Sequence, residues 1–195
     1  MSPKFPKGTI SIRPNLWHNW MMIALQAEAR SKKARSLADD AGDPGLHLGD
    51  ETHEAMIAVT ATRAFLAHVR ADWKPYLGSK LKDFDLPALA TIVPDDDSDL
   101  AAWTDSVEGI ILDRNQILHV PQKSTPAVPH PRGTNTSELD ANFTCERATS
   151  VVDRVLAFYE RVISSPTPAL EQWAESHSHT VEVFREARAK YAAEG

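Results

Sequence analysis

The stretch that decides the predicted fold is residues 113–121, Asp-Arg-Asn-Gln-Ile-Leu-His-Val-Pro. It closes an amphipathic run that begins near Asp99, in which apolar residues recur at helical spacing and Arg114 falls on the same stripe. A guanidinium on the buried or partner-facing side of a helix needs a partner, because burying an unpaired charge is costly. Pro121 disfavours helical geometry at the residue before it, so His119 should lie at the C-terminal end of the helix.

Spacing alone does not single out this motif. An Arg followed five residues later by a His occurs three times, as Arg13/His18, Arg63/His68 and Arg114/His119. The third pair differs from the others in having an amide after the Arg, a position at the end of a helix and a Pro soon after the His. Two interpretations follow: a functional site, or an Arg114 that caps the helix or pairs locally.

The motif resembles the HEPN superfamily, whose hallmark is an Arg followed four to six residues later by a His, often with Asn, Asp or His directly after the Arg. Here that residue is Asn115. The resemblance implies a metal-independent endoribonuclease without a cofactor, of toxin or phage-defence type, with Arg114, Asn115 and His119 as catalytic residues. Toxins of this family that are silenced by nucleotidylation have a Tyr two residues after the His. Pro121 stands at that position, which argues against this form of control.

The chemistry of RNA suits these three residues, because RNA carries its own nucleophile in the 2′-hydroxyl. His119, with an ordinary pKa of about 6.5, can accept or donate a proton at neutral pH. Arg114 can hold the charge that develops on the phosphate, and Asn115 can orient the imidazole or the phosphate. The expected products are a 2′,3′-cyclic phosphate and a 5′-hydroxyl.

A homodimer is predicted from the same motif. Five residues at about 100° each place Arg114 and His119 about 140° apart around one helix, which presents them poorly to a single phosphate. The HEPN resemblance implies that two chains share a cleft across a two-fold axis. In a self-complementary interface, Arg114 of one chain can act beside His119 of the other.

Composition is that of an ordinary globular protein forming one domain over 1–195, with 42% hydrophobic and 25% charged residues. We expect neither a membrane span nor a signal peptide. Cys145 is the only cysteine, so an intrachain disulfide is impossible and the cytoplasm is the expected location. The net charge of −6 argues against a nonspecific coat for nucleic acids, although not against a local RNA site.

Periodicity and punctuation predict an all-α bundle of four to five helices. The expected segments are an extended arm over 1–14, helices over 15–37, 51–72, 99–119 and 137–164, a Pro-rich loop over 121–137, and a C-terminal helix over 168–193. The loop follows His119 closely, so Lys123, His130 and Arg132 are predicted to bind RNA.

For several acidic residues and histidines, the sequence allows more than one role. Glu51, near the start of a predicted helix, suits the helix dipole, and a role facing the catalytic Arg is the alternative. His68 lies on an apolar stripe and is predicted to be a hydrogen-bonded core residue. Three histidines on different predicted helices could conceivably bind a metal, although nothing in their spacing supports it: His18, His53 and His119.

The function predicted from the sequence is therefore cleavage of RNA, with the RNA and a second copy of the chain as partners. An antitoxin or another regulatory protein is a further possible partner. The alternative is a helical module without catalysis that binds nucleotides or another protein, since such proteins also occur in the HEPN superfamily.

Overall fold

The computed structural model of this protein describes residues 16–77, 92, 102 and 126–194. Arg114, Asn115, His119 and Lys123 lie outside these residues, as do the predicted arm and, apart from Ala102, the predicted motif helix. The described elements are α1 (Leu16–Ala41), α2 (Leu48–Leu77), β1 (Val128–Pro129), β2 (Asn135–Thr136), α3 (Glu138–Asn142), α4 (Cys145–Ser164), α5 (Glu171–His177) and α6 (Thr180–Glu194). The prediction of a mainly helical protein is confirmed.

Helices α1 and α2 run antiparallel and are both longer than predicted. Helix α1 continues to Ala41, where Gly42 adopts a φ of +63°. The amide of Gly42 donates to Asp39 and that of Asp43 donates to Ala38, both at 3.1 Å, which is the Schellman pattern of a helix end. Helix α2 includes Pro75 in its last turn. A Pro at this place costs the helix one backbone hydrogen bond, because it has no N–H to donate to the preceding turn.

The apolar stripe that the sequence predicts for α1 is mostly buried, and the buried face extends beyond it. Of the predicted stripe Trp20, Ile23, Ala24, Ala27, Ser31 and Ala34, the last four are buried. Trp17 and Met21, which lie off the predicted stripe, are 2% and 0% exposed, whereas Ile23 on that stripe is 40% exposed. His68 on α2 is exposed and stacks on Trp20, with ring centroids 6.3 Å apart, so its predicted place in the core is wrong. The face is wide because α1 packs against α2, α4 and α6, so Trp17 and Met21 are buried beside the predicted stripe.

Aromatic side chains join the C-terminal helices to the α1–α2 pair. Tyr159 of α4 shares a 2.6 Å hydrogen bond with Thr180 at the start of α6. The indole of Trp173 donates to Asp72 of α2 at 2.8 Å. The hydroxyl of Tyr159 and the indole of Trp173 are therefore buried with their hydrogen bonds satisfied.

Two predicted helices are each divided in two. The predicted helix over 137–164 is α3 and α4, because Thr144 leaves helical geometry and its hydroxyl accepts the amide of Arg147 at 3.3 Å. The predicted helix over 168–193 is α5 and α6, with a turn at Ser178 and His179. The described part of the chain therefore holds six helices, more than the four to five predicted for the whole chain.

The part of the Pro-rich loop that the structure describes contains a small β-hairpin. Strand β1 pairs with β2 in antiparallel register, Val128 opposite Thr136 and Pro129 opposite Asn135. The turn closes through the amide of Gly133, which donates to the carbonyl of His130 at 2.9 Å. Pro131 suits the second position of such a turn because its φ is fixed, and Gly133 adopts a φ of +81°. We name residues 126–137 the hairpin segment.

Candidate functional site

The hairpin segment meets the bundle at one buried arginine. The side chain of Arg132 is 1% exposed and pairs through Nη2 with Oε2 of Glu51, whose side chain is 0% exposed. Its Nη1 donates to the carbonyl of Leu46 at 2.9 Å, in the loop between α1 and α2. Burial lowers the pKa of Arg132, and nearby Arg35 adds to this effect. The guanidinium stays charged at neutral pH because its ordinary pKa is above 12.

Glu51 links three parts of the fold. While Oε2 pairs with Arg132, Oε1 accepts the backbone amide of Cys145 at 2.9 Å, at the first residue of α4. A carboxylate at the N-terminus of a helix is favoured by the orientation of the peptide dipoles. Glu51 lies in the first turn of α2, as the helix-dipole interpretation predicts, and its side chain also caps α4. The arginine that it faces among the described residues is Arg132, and a role facing Arg114 stays a prediction.

His130 is buried beside this ion pair. It is 4% exposed, and its Nδ1 accepts the backbone amide of Arg132 at 3.1 Å. Burial lowers the pKa of the imidazole and the nearby Arg35 lowers it further, while Asp140 and Glu146 act in the opposite direction. His130 is therefore neutral at pH 7, with Nδ1 as an acceptor.

Near His130 and Arg132, Asp140 is ionised at neutral pH and the Cys145 thiol is protonated. Burial disfavours ionisation of Asp140, but hydrogen bonds from Ser137 and Thr136, at 2.8 and 2.9 Å, outweigh it and hold its pKa below the ordinary value. Burial raises the pKa of the Cys145 thiol to about 11, with Glu146 contributing. Cys145 is thus a protonated thiol at neutral pH and a poor nucleophile.

One group of side chains in the described ranges has the proximity that a metal site needs. Ligand atoms of Glu51, Cys145 and Glu146 all lie within 4.8 Å of one another. However, Glu51 already holds Arg132 and the Cys145 amide, and a thiol ligand would first have to lose its proton. We therefore assign these residues a structural role. The three-histidine alternative includes His119, which lies outside the described residues, and stays a hypothesis.

A groove of about 540 Å³ lies on another side of the bundle, between α1, α4 and α6. At its base, Glu28 is 1% exposed and accepts two hydrogen bonds from Arg188, at 2.5 and 2.9 Å, and one from Lys32 at 2.7 Å. Burial alone would raise the pKa of Glu28, but the hydrogen bonds from Arg188 and Lys32 lower it below the ordinary value. At the rim, Arg185 forms a fork with Glu160, with both bonds at 2.9 Å.

Four basic residues lie close together in the second half of α1: Arg30, Lys32, Lys33 and Arg35. Carboxylates neutralise most of this basic cluster. Lys32 contacts Glu28, and Arg35 contacts both Asp39 and Glu146, at 3.1 and 3.4 Å. Surface cations that already have acidic partners attract a phosphate backbone less strongly than free ones. These contacts support the interpretation of this cluster as a solvated face.

The predicted site residues therefore divide into two groups. Arg114, Asn115, His119 and Lys123 lie outside the described residues. His130 and Arg132 are brought together in the interior, where neither side chain faces solvent, and RNA binding by them stays a prediction that would require the hairpin segment to move.

The pairing of Glu51 with Arg132 was missed by sequence reasoning. These residues lie 81 positions apart, and Arg132 sits in a loop without periodicity. The Pro-Arg-Gly sequence was the single available signal. It indicates a turn with a basic residue, but it does not indicate which residue pairs with Arg132.

None of the described helices combines the length and apolar character that a membrane span requires. No protein-family model, no curated protein and no solved structure matches this chain.

Proposed function

We propose that this protein is a metal-independent endoribonuclease of toxin or phage-defence type that cleaves RNA through Arg114, Asn115 and His119. The observation that carries the proposal is the motif itself: an arginine on an apolar stripe, an amide next to it, and a histidine at a predicted helix end before Pro121. The mainly helical fold of the described residues is compatible with the HEPN resemblance.

In the proposed mechanism, the chain supplies proton transfer and charge stabilisation. His119 exchanges a proton with the 2′-hydroxyl or the leaving oxygen, a contribution of about 10²- to 10⁴-fold in such reactions. Arg114 binds a nonbridging phosphate oxygen as negative charge accumulates on it. Asn115 orients one of these groups. The 2′-oxygen forms a bond to phosphorus as the bond to the 5′-oxygen breaks, which leaves a 2′,3′-cyclic phosphate and a 5′-hydroxyl.

Cleavage of total RNA by the purified protein should survive an excess of chelator, because the proposed chemistry needs no metal. The measurement is the appearance of new 5′-hydroxyl ends by sequencing, with and without chelator. Loss of cleavage in chelator that zinc or manganese restores would instead support a metal site such as the three-histidine alternative.

The proposed homodimer makes a separate prediction. Mixing Arg114→Ala with His119→Ala subunits should restore cleavage, because a mixed dimer regains one intact pair across the two-fold axis. Random mixing of equal amounts should give about a quarter of the wild-type rate, since half of the dimers are mixed and each has one of two sites intact.

The mixed sample must be checked for subunit exchange, for example with two tags of different mass. Mixed dimers that form and remain inactive would contradict a shared site, as would full activity in a protein that sediments as a monomer.

A module without catalysis is the second candidate, and the groove between α1, α4 and α6 favours it. Its apolar lining is made of small and aliphatic residues: Leu25, Ala29, Leu156, Ala157, Ala189 and Ala192. Lys32, Arg185 and Arg188, which line it, all contact carboxylates, so the groove suits a protein partner better than a nucleotide. Absence of RNA cleavage under all the conditions above would favour this function.

A further inference from the structure

The hydrogen bond from Arg132 to His130 requires a neutral imidazole. Nδ1 of His130 accepts the backbone amide of Arg132 at 3.1 Å. A protonated imidazole carries hydrogen on both nitrogens and cannot accept this bond. Two donors would then face each other in a site where His130 is 4% exposed. Protonation therefore replaces a favourable contact with a repulsive one.

The groups around His130 act in both directions, because a hydrogen bond with the backbone of Asp140 and the charges of Asp140 and Glu146 favour the protonated imidazole, whereas burial and Arg35 disfavour it. Arg132 lies in the same turn and Arg35 approaches from α1, while Asp140 of α3 and Glu146 of α4 supply the opposing negative charges. Burial and Arg35 together outweigh Asp140 and Glu146, so the pKa of His130 lies below its ordinary value of 6.5. Of the groups that face the imidazole, none other has an ordinary pKa between 5.5 and 7.5.

The same residue that donates to His130 also anchors the hairpin segment. The backbone of Arg132 contacts the imidazole, and its side chain contacts Glu51 of α2 and the carbonyl of Leu46. Loss of the acceptor at Nδ1 therefore weakens the turn that aims the Arg132 side chain into the bundle. Protonation of His130 is in this way coupled to the attachment of the hairpin segment to the helices.

We propose that the hairpin segment is an acid-sensitive clasp, which closes on the ends of α2 and α4 while His130 is neutral and opens when His130 takes up a proton. Because the imidazole binds a proton more tightly in the open form, closure is fully favoured above about pH 6.5 and is lost as the pH falls below that value. Each pH unit favours the open form by up to about tenfold, until the pH reaches the pKa of His130 in the closed form. This clasp does not depend on RNA cleavage.

Amide hydrogen exchange of the full chain measures the clasp directly. Protection factors of the Arg132 and Gly133 amides, corrected for intrinsic exchange, should fall by up to about fivefold between pH 6.5 and 5.5 and change little between pH 7.5 and 7. Amides in the middle of α4 should keep their protection throughout. Constant protection of the hairpin amides from pH 7.5 to 5.5 would overturn the proposal.

Two histidine variants separate the role of His130 from general effects of acid. His130→Asn keeps an oxygen that can accept an amide two residues on, as Asn does in turns, but it does not titrate. Its hairpin should stay protected at pH 5.5. His53→Asn, at an exposed position on α2, should retain the wild-type pH dependence. A fall in protection that persists in His130→Asn would refute the clasp.

If the hairpin amides of His130→Asn are unprotected at every pH, the pKa of His130 measured in the wild-type protein still tests the proposal. The proton resonance of this imidazole, followed by NMR, should titrate below pH 6.5, and the fall in amide protection should level off near the pKa so measured. A His130 pKa at or above 6.5 would overturn the proposal.

Discussion

His119→Ala is expected to abolish RNA cleavage, a loss of at least about 10²-fold, because no other group in the proposed site exchanges the proton. The helical circular dichroism should be unchanged, since the residue is predicted at a helix end. Arg114→Lys should also be inactive, because an ammonium does not reproduce the planar, two-pronged contact of a guanidinium with phosphate. The measurement is the initial rate of cleavage of a defined RNA at pH 7.

The other two Arg/His pairs with the same spacing provide matched controls. His68 is exposed and stacks on Trp20, so His68→Ala should leave the cleavage rate within about twofold and affect stability by less than about 1 kcal/mol. His18→Ala should likewise retain the chemistry. Full activity in His119→Ala or in Arg114→Lys would end the proposal of a ribonuclease site at this motif.

Arg132→Met is expected to lower the free energy of unfolding by about 3–5 kcal/mol, because it leaves the carboxylate of Glu51 buried without its charged partner. The exposed fractions of the two side chains, 1% and 0%, place the pair in the range where this penalty applies. Urea denaturation at pH 7, followed by circular dichroism, measures the loss.

Arg185→Met is the matched control, because Arg185 also forms a fork with a carboxylate but its side chain is 59% exposed. Solvent screens such a pair, so its loss should change the free energy of unfolding far less than the loss of Arg132 does. Glu51→Gln combined with Arg132→Met removes both buried charges and should recover part of the stability lost in Arg132→Met. Equal losses of stability in Arg132→Met and Arg185→Met would contradict the burial of the Glu51–Arg132 pair.

Helix boundaries show how far local signals reach. The sequence located α1 and α2 by their apolar spacing, but it ended both too early. The predicted second helix ended at residue 72, whereas α2 continues through Pro75 to Leu77. The division between α3 and α4 depends on a cap by Thr144, and threonine inside an apolar run does not by itself indicate a break.

Histidines and charged residues show where local signals fail. His68 lies at the edge of the buried stripe of α2: Phe65 and Val69 are buried, whereas His68 is exposed and stacks on Trp20 of α1. Arg132 lies in the predicted Pro-rich loop, and nothing near it in the sequence indicates that its side chain is the buried partner of Glu51. Neither outcome follows from neighbours in sequence, since both depend on which helix lies opposite.

By itself the sequence determined that this protein is mainly helical, because apolar periodicity and the placement of Pro and Gly act within a few residues along the chain. It also supplied the motif of Arg114, Asn115 and His119, for which chemistry and spacing suffice to make a proposal. Only the tertiary structure decided which face of α1 is buried, that Glu51 caps α4, and that His130 and Arg132 lie inside. Those outcomes depend on contacts between residues far apart in the chain, where desolvation and pairing outweigh local preference.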